Sequence, residues 1–279
     1  MENLLKFRPL IPRRVQLLVL VLVCLAASRT WAGPVDCGGR PMTLGFFPFG
    51  YGYYEVNGEG KGTFKDLADE LGKRTGCSFI TQVMPLARIW EDLANGRLDI
   101  NVGGIQTVER ERVAWFFPYL TAKYSTFLRT SIAPSVRNAD DFIGQTTLRF
   151  GFVRNGAAGK KNGLWLDRMR EAGRLEESAN YETLFEKLEK GRIDGLFASP
   201  SVSRKYIKDL HMEGQVVVQE WFPDDPGVLA GLMLSRKRFS EAEATRWGSL
   251  IKEMRSDGTL ERIFVRHMPV AEARKQLDF

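Results

Sequence analysis

From residue 42 onward, short apolar runs alternate with stretches whose apolar residues recur every three or four positions. Residues 42–47 read as a strand. Phe64, Leu67, Ala68 and Leu71 follow at i, i+3, i+4 and i+7, the stripe of an amphipathic helix, and Gly76 stands where such a helix would stop. Residues 79–83 are a second strand. Leu86, Ile89, Trp90 and Leu93 repeat the helical spacing up to Gly96, and residues 98–102 return to a strand. A βαβαβ order predicts a parallel sheet.

The order then recurs. Residues 148–153 read as a strand and residues 160–172 as a helix. Tyr181, Leu184, Phe185 and Leu188 form a helical stripe stopped by Gly191, and residues 193–198 are a strand. Two echoes accompany the repeat. Leu93-Ala-Asn-Gly96-Arg97-Leu98-Asp99 matches Leu188-Glu-Lys-Gly191-Arg192-Ile193-Asp194, and Thr43-Leu-Gly45-Phe46 matches Arg149-Phe-Gly151-Phe152. Together they predict two similar α/β lobes. A last helix carries Trp247, Leu250, Ile251 and Met254 on one face, is broken at Asp257-Gly258, and is followed by a further turn over 260–265. If this tail packs on the first lobe, the chain crosses between lobes twice, with 125–129 and 228–234 as candidate crossings. The expected division is 33–127 with 230–279 for lobe one and 128–229 for lobe two. A two-strand hinge leaves a cleft suited to a small ligand.

The start of the chain departs from this pattern. Arg13-Arg14 precedes an apolar run over 15–27, and Thr30 and Ala32 are small residues spaced for cleavage. The run is too short for a good membrane span. Residues 1–32 therefore read as an export signal cleaved near Ala32, which places the mature chain in the periplasm. They also change the meaning of the charge. Of the formal +6, this segment carries +4, from five basic residues against Glu2. The remaining chain is near neutral, so nucleic acid is not an expected partner. Past the signal only Cys37 and Cys77 remain, and an exported chain with one such pair predicts a disulfide.

Four ordered segments resemble family 3 of the bacterial extracellular solute-binding proteins, the polar amino acid receptors of ABC importers. They are Gly62-Thr-Phe-Lys-Asp66-Leu67-Ala68, the passage from Trp90 to Asp99, Thr107-Val-Glu109-Arg110 with Phe116-Phe117-Pro118-Tyr119, and Ser256-Asp257-Gly258-Thr259-Leu260. The resemblance implies a two-lobed periplasmic binding protein-like fold of type II, a monomer, and an inner-membrane ABC permease as partner.

The same resemblance implies a site. Arg110 would clamp the ligand's carboxylate through a forked pair of hydrogen bonds, beside Thr107 and the Gly103-Gly104 backbone. The Asn155-Gly156-Ala157-Ala158-Gly159 turn would offer backbone N–H groups to the same anion from lobe two. Of the rings at Phe46, Phe47, Phe49, Tyr51, Tyr53 and Tyr54, some should reach the cleft, Phe49 and Tyr51 among them, and the rest should pack in the core. Arg88 could reach the cleft or lie on an exposed helix face. Two positions depart from the family. The Asp usual five residues after the Asp194 position is Ser199, and a Thr usual two residues before Thr107 is Ile105. Recognition of an α-carboxylate is thus more intact than recognition of an α-ammonium.

The same scaffold also serves enzymes similar to cyclohexadienyl dehydratase and sensors for membrane partners. His211 and His267 stand apart in sequence, and no metal-ligand spacing, nucleophile elbow or phosphate loop occurs. A binder without cofactor or metal is the expectation.

Overall fold

The computed structural model describes residues 35–279; the expected export segment, 1–32, lies outside the described residues. Two five-stranded sheets organise the chain. In the first, β1 (Met42–Phe46) lies between β4 (Phe79–Val83) and β5 (Ile100–Ile105), parallel to both. Beyond β5 come β12 (Val228–Ser235) and β6 (Ala114–Ala122), each antiparallel to its neighbour. In the second, β8 (Phe150–Val153) lies between β9 (Leu175–Ser178) and β10 (Gly195–Ala198), again parallel, followed by antiparallel β7 (Ser125–Arg129) and β11 (Val216–Gln219). A small hairpin pairs β2 (Tyr54–Val56) with β3 (Glu59–Lys61).

The two sheets repeat one plan, three parallel strands and then two antiparallel ones, as the sequence echoes predict. The echoed aspartates show why. Asp99 accepts from the Thr43 N–H at 2.7 Å, and its own N–H donates to the Thr43 carbonyl. Asp194 does the same with the Arg149 N–H and carbonyl, both at 2.8 Å. Each carboxylate also holds arginine: Arg40 and Arg238 on Asp99, Arg129 on Asp194. A buried aspartate thus fastens the first strand of each lobe to the third.

The helices follow their apolar stripes. Thr63–Thr75 buries Phe64, Leu67, Ala68 and Leu71 and ends on Gly76, whose left-handed φ of 74° satisfies the last turn. Leu86–Asn95 ends on Gly96 in the same way. Lys160–Glu171 and Tyr181–Glu189 cover the second sheet, whose core joins Phe142, Phe150, Trp165, Phe197 and Trp221 in mutual ring contacts. Glu241–Ser256 opens on a reciprocal Ser240–Glu243 cap, and Thr259–Phe264 and Val270–Leu277 close the chain against the first lobe. Among the described residues no helix is long and apolar enough to cross a membrane.

Some elements differ from the expectation. The crossing candidates 125–129 and 228–234 are themselves strands, β7 within the second sheet and β12 within the first. The chain passes between sheets over residues 123–124 and 220–227. β6 carries Pro118, which suits its place at the sheet edge and the irregular pairing opposite Ala230 and Gly231. β9 reads Leu-Glu-Glu-Ser and has no apolar alternation, because it too is an edge.

Cys37 and Cys77 are bonded, with Cα atoms 5.4 Å apart across 40 residues of sequence. The bridge ties the segment before β1 to the turn before β4. Replacing both cysteines with serine should lower unfolding free energy by about 4 kcal/mol on the chain-entropy account, read by denaturant titration. Unchanged stability would mean that the bridge closes nothing the fold does not already hold. A second prediction concerns Asp99. Burial pushes its carboxyl up, but hydrogen bonds from Arg40 and Thr43 outweigh this and hold it below the usual range. A depressed folded pKa stabilises fully above the unfolded value, about 4, and the contribution drains as pH falls through the depressed value. Asp99→Asn should therefore cost roughly 2–3 kcal/mol at pH 7, since both arginines reach solvent, and flatten the acid limb of stability against pH.

Candidate functional site

The lobes meet across a cleft. The loop after β1 carries Phe47 and Phe49 to it, and its turn is tight: the Gly52 N–H donates to the Phe49 carbonyl and the Phe49 N–H to the Tyr53 carbonyl. Gly50 has φ +53°, and a Cβ there would stand 2.4 Å from the Val202 Cα of lobe two. Only glycine lets the loop come this close. Beside it the Tyr51 N–H donates to the Ser201 carbonyl at 3.1 Å, a backbone bond between lobes. Further out, Lys205 lies 4.8 Å from the Tyr54 ring centroid, and Arg204 pairs with Glu272.

Arg110 sits in the middle of this contact. Thr107 caps the one-turn helix Val108–Glu111 by accepting from the Arg110 N–H, which sets the direction of the side chain. The guanidinium stacks 4.1 Å from the Trp90 ring centroid, donates through Nη1 to the Ile105 carbonyl at 2.9 Å, and through Nη2 to the Asn155 carbonyl of lobe two. Burial pushes its pKa down to about 10, offset in part by Tyr124 and Glu109, so it remains a cation at neutral pH.

Two small cavities flank Phe49, each of about 20 Å³. That is room for a water molecule. One is walled by Phe47, Leu86, Arg110, Tyr124 and Tyr181. The other is walled by Phe64, Leu120, Ser199, Ser201 and Met268. Gly103 and Ile105 line both, and a Cβ on Gly103 would stand 2.3 Å from the Phe64 ring, so glycine there allows the ring to seal the cleft floor. A wider groove of about 740 Å³ opens on the far side of the 155–159 turn, between Thr107 and Val108 on one lobe and Asn155, Ala157 and Lys160 on the other.

The structure thus brings together Arg110, Gly103, Phe49 and Ser199 as walls of the cleft. Thr107, Asn155 and Ala157 border the outer groove. Tyr51 acts through its backbone and lines neither cavity. Arg88 lies on the exposed helix face, its side chain 66% accessible and bound to Asp92. The 155–159 turn differs from the expected anion site. Asn155, at φ +58°, presents its carbonyl to Arg110, and the helix N-terminus behind it is capped by the chain's own Asp225. Asp225 accepts from Lys161 N–H at 2.7 Å, Asn162 N–H at 3.4 Å and Gly227 N–H at 2.9 Å. This carboxylate comes from the 220–227 passage, so it also pins that passage to lobe two.

Tyr124, Tyr181, Phe64 and Ser201 were not singled out by sequence reasoning. Tyr181 and Phe64 carry the spacing of ordinary helix core, and nothing local marks them as cleft residues. Tyr124 and Tyr181 are hydrogen-bonded and buried, and burial raises both hydroxyls, that of Tyr124 to about 12. Both stay protonated. Among the described residues no cluster of three or more His, Cys, Asp or Glu could hold a metal ion.

The model of the bacterial extracellular solute-binding proteins, family 3, matches residues 42–270. No curated protein matches the sequence. Solved structures share the two-lobed fold. A substrate-binding protein of an ABC uptake transporter from Streptococcus pneumoniae with bound histidine is 17% identical, with a TM-score of 0.69 over 83% of this chain and 94% of that one. A histidine kinase sensor domain with similarity to periplasmic binding proteins is 16% identical, with a TM-score of 0.69 over 82% and 96%. The ancestral amino acid-binding protein AncCDT-1, a precursor of cyclohexadienyl dehydratase, is 20% identical, with a TM-score of 0.66 over 81% and 95%. At these identities the likeness establishes the fold, the type II periplasmic binding protein architecture.

Proposed function

We propose a receptor's role for this chain, which belongs to the bacterial extracellular solute-binding proteins, family 3. It captures a small carboxylate-bearing solute, a polar amino acid or a related compound, between its lobes in the periplasm and delivers it as a monomer to an inner-membrane ABC permease.

One observation carries the reading. Arg110 is the charged residue in the walls of the two cleft cavities, and its donors now rest on two carbonyl oxygens, one from each lobe. A neutral carbonyl is a weaker partner for a guanidinium than a carboxylate, which accepts two parallel N–H bonds and neutralises the charge. A solute carboxylate entering as the lobes part would take over these donors. The Asn155 carbonyl would then be released, and lobe two would close again on the solute. The small volume of the cavities supports such a cycle, because neither admits an amino acid without opening. Sequestration rather than catalysis fits walls made mostly of apolar side chains and neutral hydroxyls.

Thermal-shift screening against amino acids and other carboxylates tests the proposal. A solute at 100 times its Kd should add about 2.7 kcal/mol of stability. Small-angle scattering should show a population of open lobes that compacts on saturation, and an unchanged radius with proven binding would remove closure from the mechanism. Arg110→Ala should weaken binding of the identified carboxylate by roughly 2–5 kcal/mol, measured by calorimetry. Wild-type affinity in that variant would show that Arg110 is not the clamp.

A further inference from the structure

The two cleft cavities have an unusual electrostatic inventory. Among the described residues, their walls hold one cation, Arg110, and no carboxylate. The other polar side chains are neutral: the hydroxyls of Tyr124 and Tyr181 beside Arg110, and Thr63, Gln276, Ser199 and Ser201 in the second cavity, the two serine Oγ atoms 3.2 Å apart. Among the described residues no carboxylate lines either cavity, and the nearest ones stand behind the walls. Asp194 is held by Arg129 and the Arg149 N–H, and Asp225 by three backbone N–H groups. A chamber of about 430 Å³ adjoins the cavity at Ala122, Ser199 and Gln276; its wall holds Glu220, which accepts from Ser125, Glu272, which pairs with Arg204, and Asp278. A solute ammonium entering either cavity would lose water, meet no anion in the walls and, beside Phe49, share a poorly solvated space with a guanidinium. Leaving a buried charge unpaired is strongly unfavourable.

The space itself is shaped for a ring. Phe49, the partition between the cavities, is stacked on Phe64 with centroids 5.8 Å apart and 16° between planes. It meets Phe47 at 5.2 Å and the edge of Tyr181 at 5.5 Å. Rings from both lobes therefore form a socket that already accommodates an aromatic side chain in stacked and edge-on contact. A solute that displaces Phe49, or slides against it as the lobes part, finds the Phe64 ring to stack on and Phe47 and Tyr181 in tilted and edge-on contact, with Arg110 in the same wall.

From the charge inventory and the ring socket, and resting on the reading of the cleft as the receptor site, we infer that the solute is an aromatic carboxylic acid that lacks an ammonium group. Arg110 takes the carboxylate and the ring socket takes the aryl group. The tyrosine and serine hydroxyls can serve a neutral oxygen on the carbon between them, as in a hydroxy or oxo acid.

Calorimetry on the purified protein with a matched series tests this: 3-phenylpropanoate, L-3-phenyllactate, L-phenylalanine, 3-phenylpropanamide and 4-methylpentanoate. The first two should bind at least about tenfold tighter than each of the other three. Phenylalanine binding as tightly as phenyllactate overturns the exclusion of ammonium and leaves the carboxylate reading standing. Equal binding of 4-methylpentanoate overturns the aromatic requirement. Equal binding of the amide overturns the carboxylate clamp, and with it the receptor reading of Arg110. If none of the five binds, the inference fails, while the wider amino acid and carboxylate screen still decides the receptor proposal. Ser199→Asp should shift the ratio about tenfold toward phenylalanine, and should that variant not fold, the wild-type series alone decides.

Discussion

Arg110 is half-buried between the lobes, and among the described residues no carboxylate lies within ion-pair distance of it. Its surroundings partly offset this. Trp90 offers the face of its ring, Ile105 and Asn155 offer carbonyl oxygens, and Thr107 fixes the turn from which the side chain departs. Each is a dipole or a quadrupole rather than a charge. The site is therefore neither strained empty of partners nor fully neutralised. On the proposed reading, an incoming carboxylate would improve on the two carbonyl acceptors, which is the differential interaction a closing receptor needs.

The rest of the architecture keeps that guanidinium at the boundary. Each lobe is made stiff by the same fastening, a buried aspartate that joins its first strand to its third and is neutralised by arginine. The disulfide adds a tie at the start of lobe one. Between the lobes the connections are slight by comparison: residues 123–124 on one side, and on the other the 220–227 passage, secured at one end by Asp225. Stiff lobes and short passages concentrate motion at the cleft. The contacts across it include a backbone hydrogen bond from Tyr51, the Arg204–Glu272 ion pair, the Arg110–Asn155 bond and the meeting of Phe49 with Tyr181.

The aromatic content of the cleft has a second consequence. Phe49 packs on Phe47 and Phe64 within lobe one and meets Tyr181 of lobe two, so the closed arrangement is held by apolar contact as well as by hydrogen bonds. A solute that inserts here substitutes one set of ring contacts for another. The apolar part of the exchange is then close to balanced, and on the proposed reading a carboxylate would supply the difference.

Sequence by itself was enough for what depends on local chemistry. Short apolar runs, the helical period of 3.6 residues and the stop glycines at 76, 96 and 191 marked the helices and parallel strands, because those patterns follow from backbone geometry. The paired echoes around Asp99 and Asp194 marked two lobes, because each aspartate fastens strands that its own segment supplies. Cys37 and Cys77 were the only pair left after the expected export signal. Edge strands β6 and β9 escaped notice, since an edge needs neither apolar alternation nor every ladder hydrogen bond. Only the tertiary structure decided what faces the cleft. Phe64 and Tyr181 carry the same helical spacing as any core residue, Arg88 and Arg110 are both arginines on helices beside the cleft, and Asp225 lies 64 residues from the N–H group it caps. Which side chain meets which across two lobes depends on how separately folded units dock, and that relation leaves no period in the chain.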